Sequence, residues 1–398
     1  MSDLKPRPSI ELPSDFVFGH VRANRKVPAP VQPPPPLGPL SAFVGDWVGN
    51  GFNTIFRPDS TVSPTVFPNP VTPPVPPRTM DNVLELNLTS EKLTFSKSLG
   101  SVPNRGTATQ SDVFLNGVPY LQVITDITIP AEPVGIHVEP GIWIHVPPTQ
   151  IPAVPESVTR MASIPHGVTI EAQGAFVTTA GPPNIASVDI TPFVTGSNPP
   201  TKVTFISQTA ADANSPRIPQ DLSSFIAAGT ITQAMLDNPN SVLVNHISHQ
   251  DITSTTSILI STGTPVPNQA PPFGGGTENI AFLLGQAAAT APNAQTTQMF
   301  SVFWIEKVKE IIRVPRYRVG QPPFLIEGKP SVAGQRVPTF HVKPPRDLDA
   351  PFDLTVEFTQ IQYTQTVLLN FAGLTWPHVS VNTLTPADDI VVPESAWA

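Results

Sequence analysis

Proline recurs too often along this chain for long helices to form. There are 52 prolines among 398 residues. Each removes a backbone donor and fixes φ, which confines it to loops, first helical turns, strand edges and bulges. Few proline-free windows are long enough for a helix. The prolines do not signal disorder, because hydrophobic residues make up 39% and charged residues only 13%, whereas disordered chains are poor in the first and rich in the second. A β-rich fold with proline as its punctuation follows.

The strand signals begin with Phe43 to Arg57, a glycine-rich first strand. Leu84, Leu86 and Leu88 then alternate with Glu85, Asn87 and Thr89, a period of two. Leu93 and Phe95 repeat the pattern after Ser90-Glu91, which reads as the turn of a hairpin. Val113–Leu115, Tyr120–Ile129, Gly135–Val146, Ser157–Ile164 and Gly167–Gln173 continue the series. Later strands are expected at Ser187–Phe193, Lys202–Gln208, Val242–Thr262, Met299–Ile312, Leu354–Asn370 and His378–Leu384. The best helix runs through Phe225, Ile226, Ile231, Ala234 and Met235, capped by Asp221 or Ser223 and stopped by Asn238-Pro239. Val71 to Pro77, Ala270–Thr277 and Ala287–Ala294 read as loops. The organisation expected is a proline-rich arm at 1–38 and a first barrel part at 39–175. An insertion at 176–297, with strands and one helix, and the last barrel strands with a tail at 298–398 complete it.

Charge and composition exclude several functions. The net charge is −8, so no positive field awaits nucleic-acid phosphate. The absence of cysteine removes disulfides, thiolate metal sites, iron–sulfur clusters and a cysteine nucleophile. Together with an N-terminus lacking an apolar signal core, it points to a cytoplasmic protein. No window has the ~18 uninterrupted apolar residues of a membrane span.

Four pieces in order carry a family resemblance. PLSAFVGDWVGNGFNTI, from Pro39 to Ile55, contains Gly-x-Trp-x-Gly-x-Gly as Gly45, Trp47, Gly49 and Gly51. GIHVEPGIWI, from Gly135 to Ile144, supplies His137, Glu139, Gly141 and Trp143. SIPHGVTIEAQG spans Ser163 to Gly174, and near the C-terminus Leu374, Trp376, Pro377 and His378 form a Leu-x-x-Pro-His pattern. These resemble the nitrobindin family of haem-binding β-barrels, also found as the C-terminal domain of a THAP protein, over about 39–174 and 296–385. The resemblance implies a calycin-type antiparallel β-barrel that holds haem b. It makes His378 the proximal iron ligand, with Trp376 and Pro377 beside it and His137 on the open face of the haem as a catalytic or gating residue. It implies nitric oxide binding, peroxynitrite isomerisation or weak peroxidase turnover. The arm and the insertion lie outside it.

Each candidate has a plainer reading. His378 is either the iron ligand or a rim histidine bonded to backbone, and Pro377 stiffens the approach to it. His137 shares a strand face with Glu139 and can simply pair with it. Trp47 and Trp143 read as core packing, and the three glycines as relief for strand coiling, since no phosphate-loop pattern follows. His246 and His249, spaced i, i+3, would align only on a helix, and their surroundings read as strand. Lys307, Lys309, Arg313, Arg316 and Arg318 form a basic run that faces either haem propionates, an acidic partner or solvent. No hydrolase or zinc-protease motif occurs. The alternative functions are a haem-free barrel holding an apolar small molecule and a structural interaction protein. The apolar content of 176–297 further predicts that the insertion lies outside the barrel closure, packs on its wall and helps form a homo-oligomer.

Overall fold

The structure is a computed structural model that describes residues 33–67, 71, 82–151, 153–263, 275–284 and 293–397. The chain divides into two units, Met1–Pro33 and Pro34–Ala398. Nearly all of the first, like most of the expected arm and most of the three proline- or alanine-rich loops, lies outside the described residues.

Ten strands of the second unit close into an antiparallel barrel. They are β1 (Gly45–Pro58), β2 (Asn82–Phe95), β3 (Val113–Asp126), β4 (Val134–Val146) and β5 (Ser157–Ile164). β6 (Val168–Ala180), β7 (Asp251–Ser261), β8 (Gln295–Val314), β9 (Phe352–Phe371) and β10 (Leu374–Pro386) complete the ring. Every strand pairs with its successor, and β10 pairs with β1. This up-and-down closure leaves no sheet edge in the ring, and it is calycin-like as the sequence implied. The tightest connection joins β9 to β10 through Ala372 and Gly373, with φ of 49° and 75°. Two residues with positive φ give the turn whose twist matches a hairpin, and the second is glycine.

Several elements differ from expectation. β2 is one uninterrupted strand through Ser90-Glu91. Glu91 did not mark a turn, because its carboxyl has partners inside the barrel. The segment called an insertion at 176–297 contains β7, which sits between β6 and β8 in the ring. The true excursion runs only from 181 to 250, so the barrel does not close without 176–297. Val242–Thr262 is not one strand: Ser241–Ile247 is a helix, and β7 starts at Asp251. Leu243 and His246, at i, i+3, are its buried residues, a helical spacing inside an apolar run that read as strand. The helix expected over 221–237 breaks at Gly229, whose φ is 70°, into α1 (Ser223–Ala228) and α2 (Gln233–Asp237). The helix at Ser241–Ile247 is α3. Of Ser187–Phe193 and Lys202–Gln208, only Phe193–Val194 is strand and Ile206–Gln208 is a 3-10 turn.

The excursion covers the outer wall of the barrel. Leu222, Ile231, Leu236 and Leu243 are buried in one cluster with Phe52, Phe56, Val379 and Val381. Gln362 Nε2 donates to Leu243 O at 3.0 Å, and His246 Nδ1 lies 2.9 Å from Thr383 Oγ1. Arg217 organises the loop by donating to the carbonyls of Ser207, Thr209, Ala210, Asp212, Pro219 and Gln220. A second apolar cluster, including Tyr317, Phe340, Val342 and Trp397, lies along the far halves of β8 and β9. One end of the barrel is plugged. Leu40 from the 3-10 turn Gly38–Ala42 joins Phe43, Trp47, Phe95, Trp143 and Phe303 there. Phe43 stacks on Phe95 at 4.7 Å, and Trp143 meets Phe303 edge-on at 5.1 Å. Among the described residues no helix is long and apolar enough to cross a membrane.

Candidate ligand site in the barrel lumen

The end of the barrel opposite this plug gathers three histidines from three places in the sequence. His378 lies on β10, five residues past the Ala372-Gly373 turn. His137 lies near the start of β4, and His166 is in the turn between β5 and β6. The rings of His137 and His166 are 6.5 Å apart. Register fixes which face of β10 points inward. Asn53 pairs with Ser380, and Ser380 with Gln365. His378, two residues from Ser380, therefore shares the lumenal face.

His378 is enclosed by protein and keeps only a half-buried ring surface. Burial, and then the nearby charges of His137 and His166, push its pKa down to about 3. The ring is thus neutral at any ordinary pH. Its Nε2 lies 2.7 Å from Asn53 Nδ2, and the same amide donates to Ser380 Oγ at 2.8 Å.

Below the histidines the lumen is polar. His137 Nε2 approaches Glu139 Oε2 at 3.2 Å, so the plainer reading of their shared face holds. Arg160 Nη2 donates to Glu139 Oε1 at 2.5 Å, Nε to the Tyr120 hydroxyl at 2.8 Å and Nη1 to Gln365 Oε1 at 2.6 Å. The Tyr120 hydroxyl also donates to Glu139. Burial alone would raise the Glu139 carboxyl, but Arg160, His137 and Tyr120 outweigh it and hold it down to about 2. Glu91 has no such cation in hydrogen-bond reach. Tyr363 donates to it at 2.6 Å and Gln122 at 2.8 Å. Burial therefore prevails and lifts it to about 7.

The other sequence candidates lie in packing positions. Trp376 is fully buried: Phe371 stacks on it at 4.6 Å, and Phe56 and Phe205 close around it at 5.1 and 5.2 Å. Its indole N–H donates to Phe371 O at 3.0 Å. Pro377 is buried and pairs with Leu368. The basic run is exposed: Arg313 pairs with Asp353 at 2.7 Å and Arg318 with Asp349 at 2.7 Å. His246 is an outer-wall residue, neutral because burial lowers it to about 4.

Asn53, Asn87, Glu91, Gln122, Arg160 and Tyr363 were not anticipated. The signal was present as Asn87, Thr89 and Glu91 alternating along β2. Both faces of this strand are buried, with Leu84 and Leu86 on the other one, so alternation alone does not say which face is the lumen. No family model, curated protein or solved structure matches the chain. Fold and site together define a closed β-barrel with a polar lumen and a half-buried histidine, its pKa lowered by burial, at the end opposite the plug.

Proposed function

We propose that this barrel is nitrobindin-like and binds haem b at the end opposite the plug, with His378 as the residue that would hold the iron. The observation that supports this most is the placement of His378 on the lumenal face, half-buried, where burial lowers its pKa. A neutral imidazole is the form that ligates haem iron. Among the described residues no three His, Cys, Asp or Glu side chains converge on a metal position. Bound haem would supply nitric oxide binding, peroxynitrite isomerisation or peroxidase chemistry. The chain's part is to hold the nitrogen donor, to keep His137 oriented through Glu139 on the opposite wall, and to limit access through the enclosed lumen. The polar belt of Glu139, Arg160, Tyr120 and Gln365 favours a ligand with hydrogen-bonding groups over the wholly apolar molecule of the alternative reading.

Titration of ferric haem into the purified protein, followed in the Soret band, tests the proposal. Saturation at about one haem per chain is expected. Unsaturable, non-specific absorbance removes the haem reading.

A further inference from the structure

Three barrel strands carry a hydrogen-bond chain that ends on His378. Asn87 Nδ2 on β2 donates to Asn53 Oδ1 on β1 at 3.2 Å. With the two amides oriented this way, the oxygen of the Asn53 carboxamide faces Asn87. The Nδ2 end then faces two acceptors, Ser380 Oγ at 2.8 Å and His378 Nε2 at 2.7 Å. A carboxamide NH2 has two hydrogens and no acceptor to offer. His378 Nε2 must therefore accept, and a neutral ring with a bare Nε2 carries its proton on Nδ1. The parts are rigid. Asn53 pairs directly with Asn87 across β1–β2 and with Ser380 across β1–β10. Both asparagines are only 7% exposed, so turning the Asn53 amide alone would set its NH2 against that of Asn87 with no water to separate them. The Nε2 lone pair held by Asn53 is also one that a metal would use.

We infer that Asn53, oriented by Asn87, is a positioning residue that holds His378 in the Nδ1-protonated form and competes with a metal for its Nε2. The tautomer follows from the orientation of the Asn53 and Asn87 amides. The competition rests on the haem reading above. An iron that ligates through Nε2 must displace the Asn53 amide, which keeps Ser380 as its remaining acceptor. Asn53 thereby sets how tightly the site takes a metal centre without touching the metal.

The variants make opposite demands on the ring. Asn53→Ala removes the competitor. Asn53→Asp offers only acceptors, so it pulls the proton of His378 onto Nε2. Asn87→Ala touches neither His378 nor Ser380, but it frees the Asn53 amide to flip.

The test uses the full chain without haem. Long-range nitrogen NMR of the imidazoles, with His378 assigned by its loss in His378→Ala, reads the tautomer. A Soret titration of each variant with ferric haem reads the affinity. The wild type should show His378 protonated on Nδ1, Asn53→Asp should move the proton to Nε2, and Asn87→Ala should populate both forms. Asn53→Ala should tighten haem about tenfold. An Nε2-protonated His378 in the wild type overturns the inference, as does a tautomer unchanged in Asn53→Asp and Asn87→Ala alike. If Asn53→Asp does not fold, Asn87→Ala decides the tautomer alone. Saturable haem binding that Asn53→Ala fails to tighten overturns the competition and leaves the haem reading standing. Failure of wild type and Asn53→Ala alike to bind haem, with the tautomers as expected, removes the haem reading and the competition while supporting the positioning role.

Discussion

His378 and Arg160 occupy one lumen and solve the problem of burying a titratable group in opposite ways. His378 stays neutral, whereas Arg160 remains charged because Glu139 compensates it at 2.5 Å. Removing each should have different results. His378→Ala deletes a residue with one strong protein contact, so the fold should survive while haem binding weakens strongly in a Soret titration. His137→Ala should retain haem and alter binding of a ligand at the open face, since His137 bonds Glu139 and not the proposed ligand nitrogen. A result with the two variants exchanged would mean the two sides are reversed. Arg160→Met leaves the buried Glu139 carboxyl without its compensating cation, and breaking a buried pair from one side costs about 3–5 kcal/mol. Urea unfolding should show that loss, and a change under about 1 kcal/mol would mean water reaches Glu139. His378 and His137 were readable in the sequence because motif and spacing singled them out. Arg160 was not, since nothing local distinguishes an inward arginine on a short strand from a solvated one. Its meaning comes from Glu139, Tyr120 and Gln365 on other strands.

At the level of elements, the sequence was most readable where alternation met a closed sheet. β1, β4, β5, β8, β9 and β10 lie close to where their patterns put them. It was least readable between β6 and β7. There, short helices pack apolar residues on a barrel wall that is itself apolar, so both partners look like strand. Val242, Leu243 and Val244 illustrate this: consecutive and apolar, with two β-branched valines, they nevertheless belong to α3. Its contacts explain the outcome. Leu243 is fully buried, and its carbonyl accepts from Gln362. His246 reaches Thr383, and Asn240, just before the helix, accepts from Thr364. Three outward polar residues of β9 and β10 thus find partners on one short helix, too short to be stable alone. Leu243→Ala should therefore cost about 2–5 kcal/mol through the cavity it leaves. The expected reading is a lower urea midpoint with an unchanged slope. A loss of only a few tenths of a kcal/mol would show that α3 is not part of the cooperative unit.

The whole molecule buries titratable groups of both kinds, and their balance sets its pH dependence. Two carboxyls are raised furthest by burial, Glu91 to about 7 and Glu306, on the outer wall beside Gln360, to about 8, and Glu310 moves the same way. Two histidines are lowered by burial, His246 to about 4 and His378 to about 3. A raised carboxyl binds its proton more tightly in the folded state, so its contribution is complete below the unfolded value of 4.5 and is lost as pH rises through 7 to 8. A lowered histidine acts the other way. Its contribution is complete above the unfolded value of 6.5 and is lost as pH falls towards 4 and 3. Each group gives a slope of about 1.4 kcal/mol per pH unit within its window. From 4.5 to 6.5 the two pairs oppose each other and nearly cancel. Above 6.5 only the carboxyls act, and stability falls until Glu306 has ionised. Below 4.5 the histidines act, joined by Glu139, whose depressed value makes its contribution disappear as pH falls towards 2. The haem-free protein should therefore be most stable between about pH 4.5 and 6.5 and lose several kcal/mol by pH 8.5. Urea midpoints at pH 5.5, 7 and 8.5 measure it directly. Glu91→Gln and Glu306→Gln remove the groups that ionise, so each should flatten the alkaline side. A wild-type midpoint that is level or rising from pH 6.5 to 8.5 would mean that neither carboxyl is held protonated by the fold.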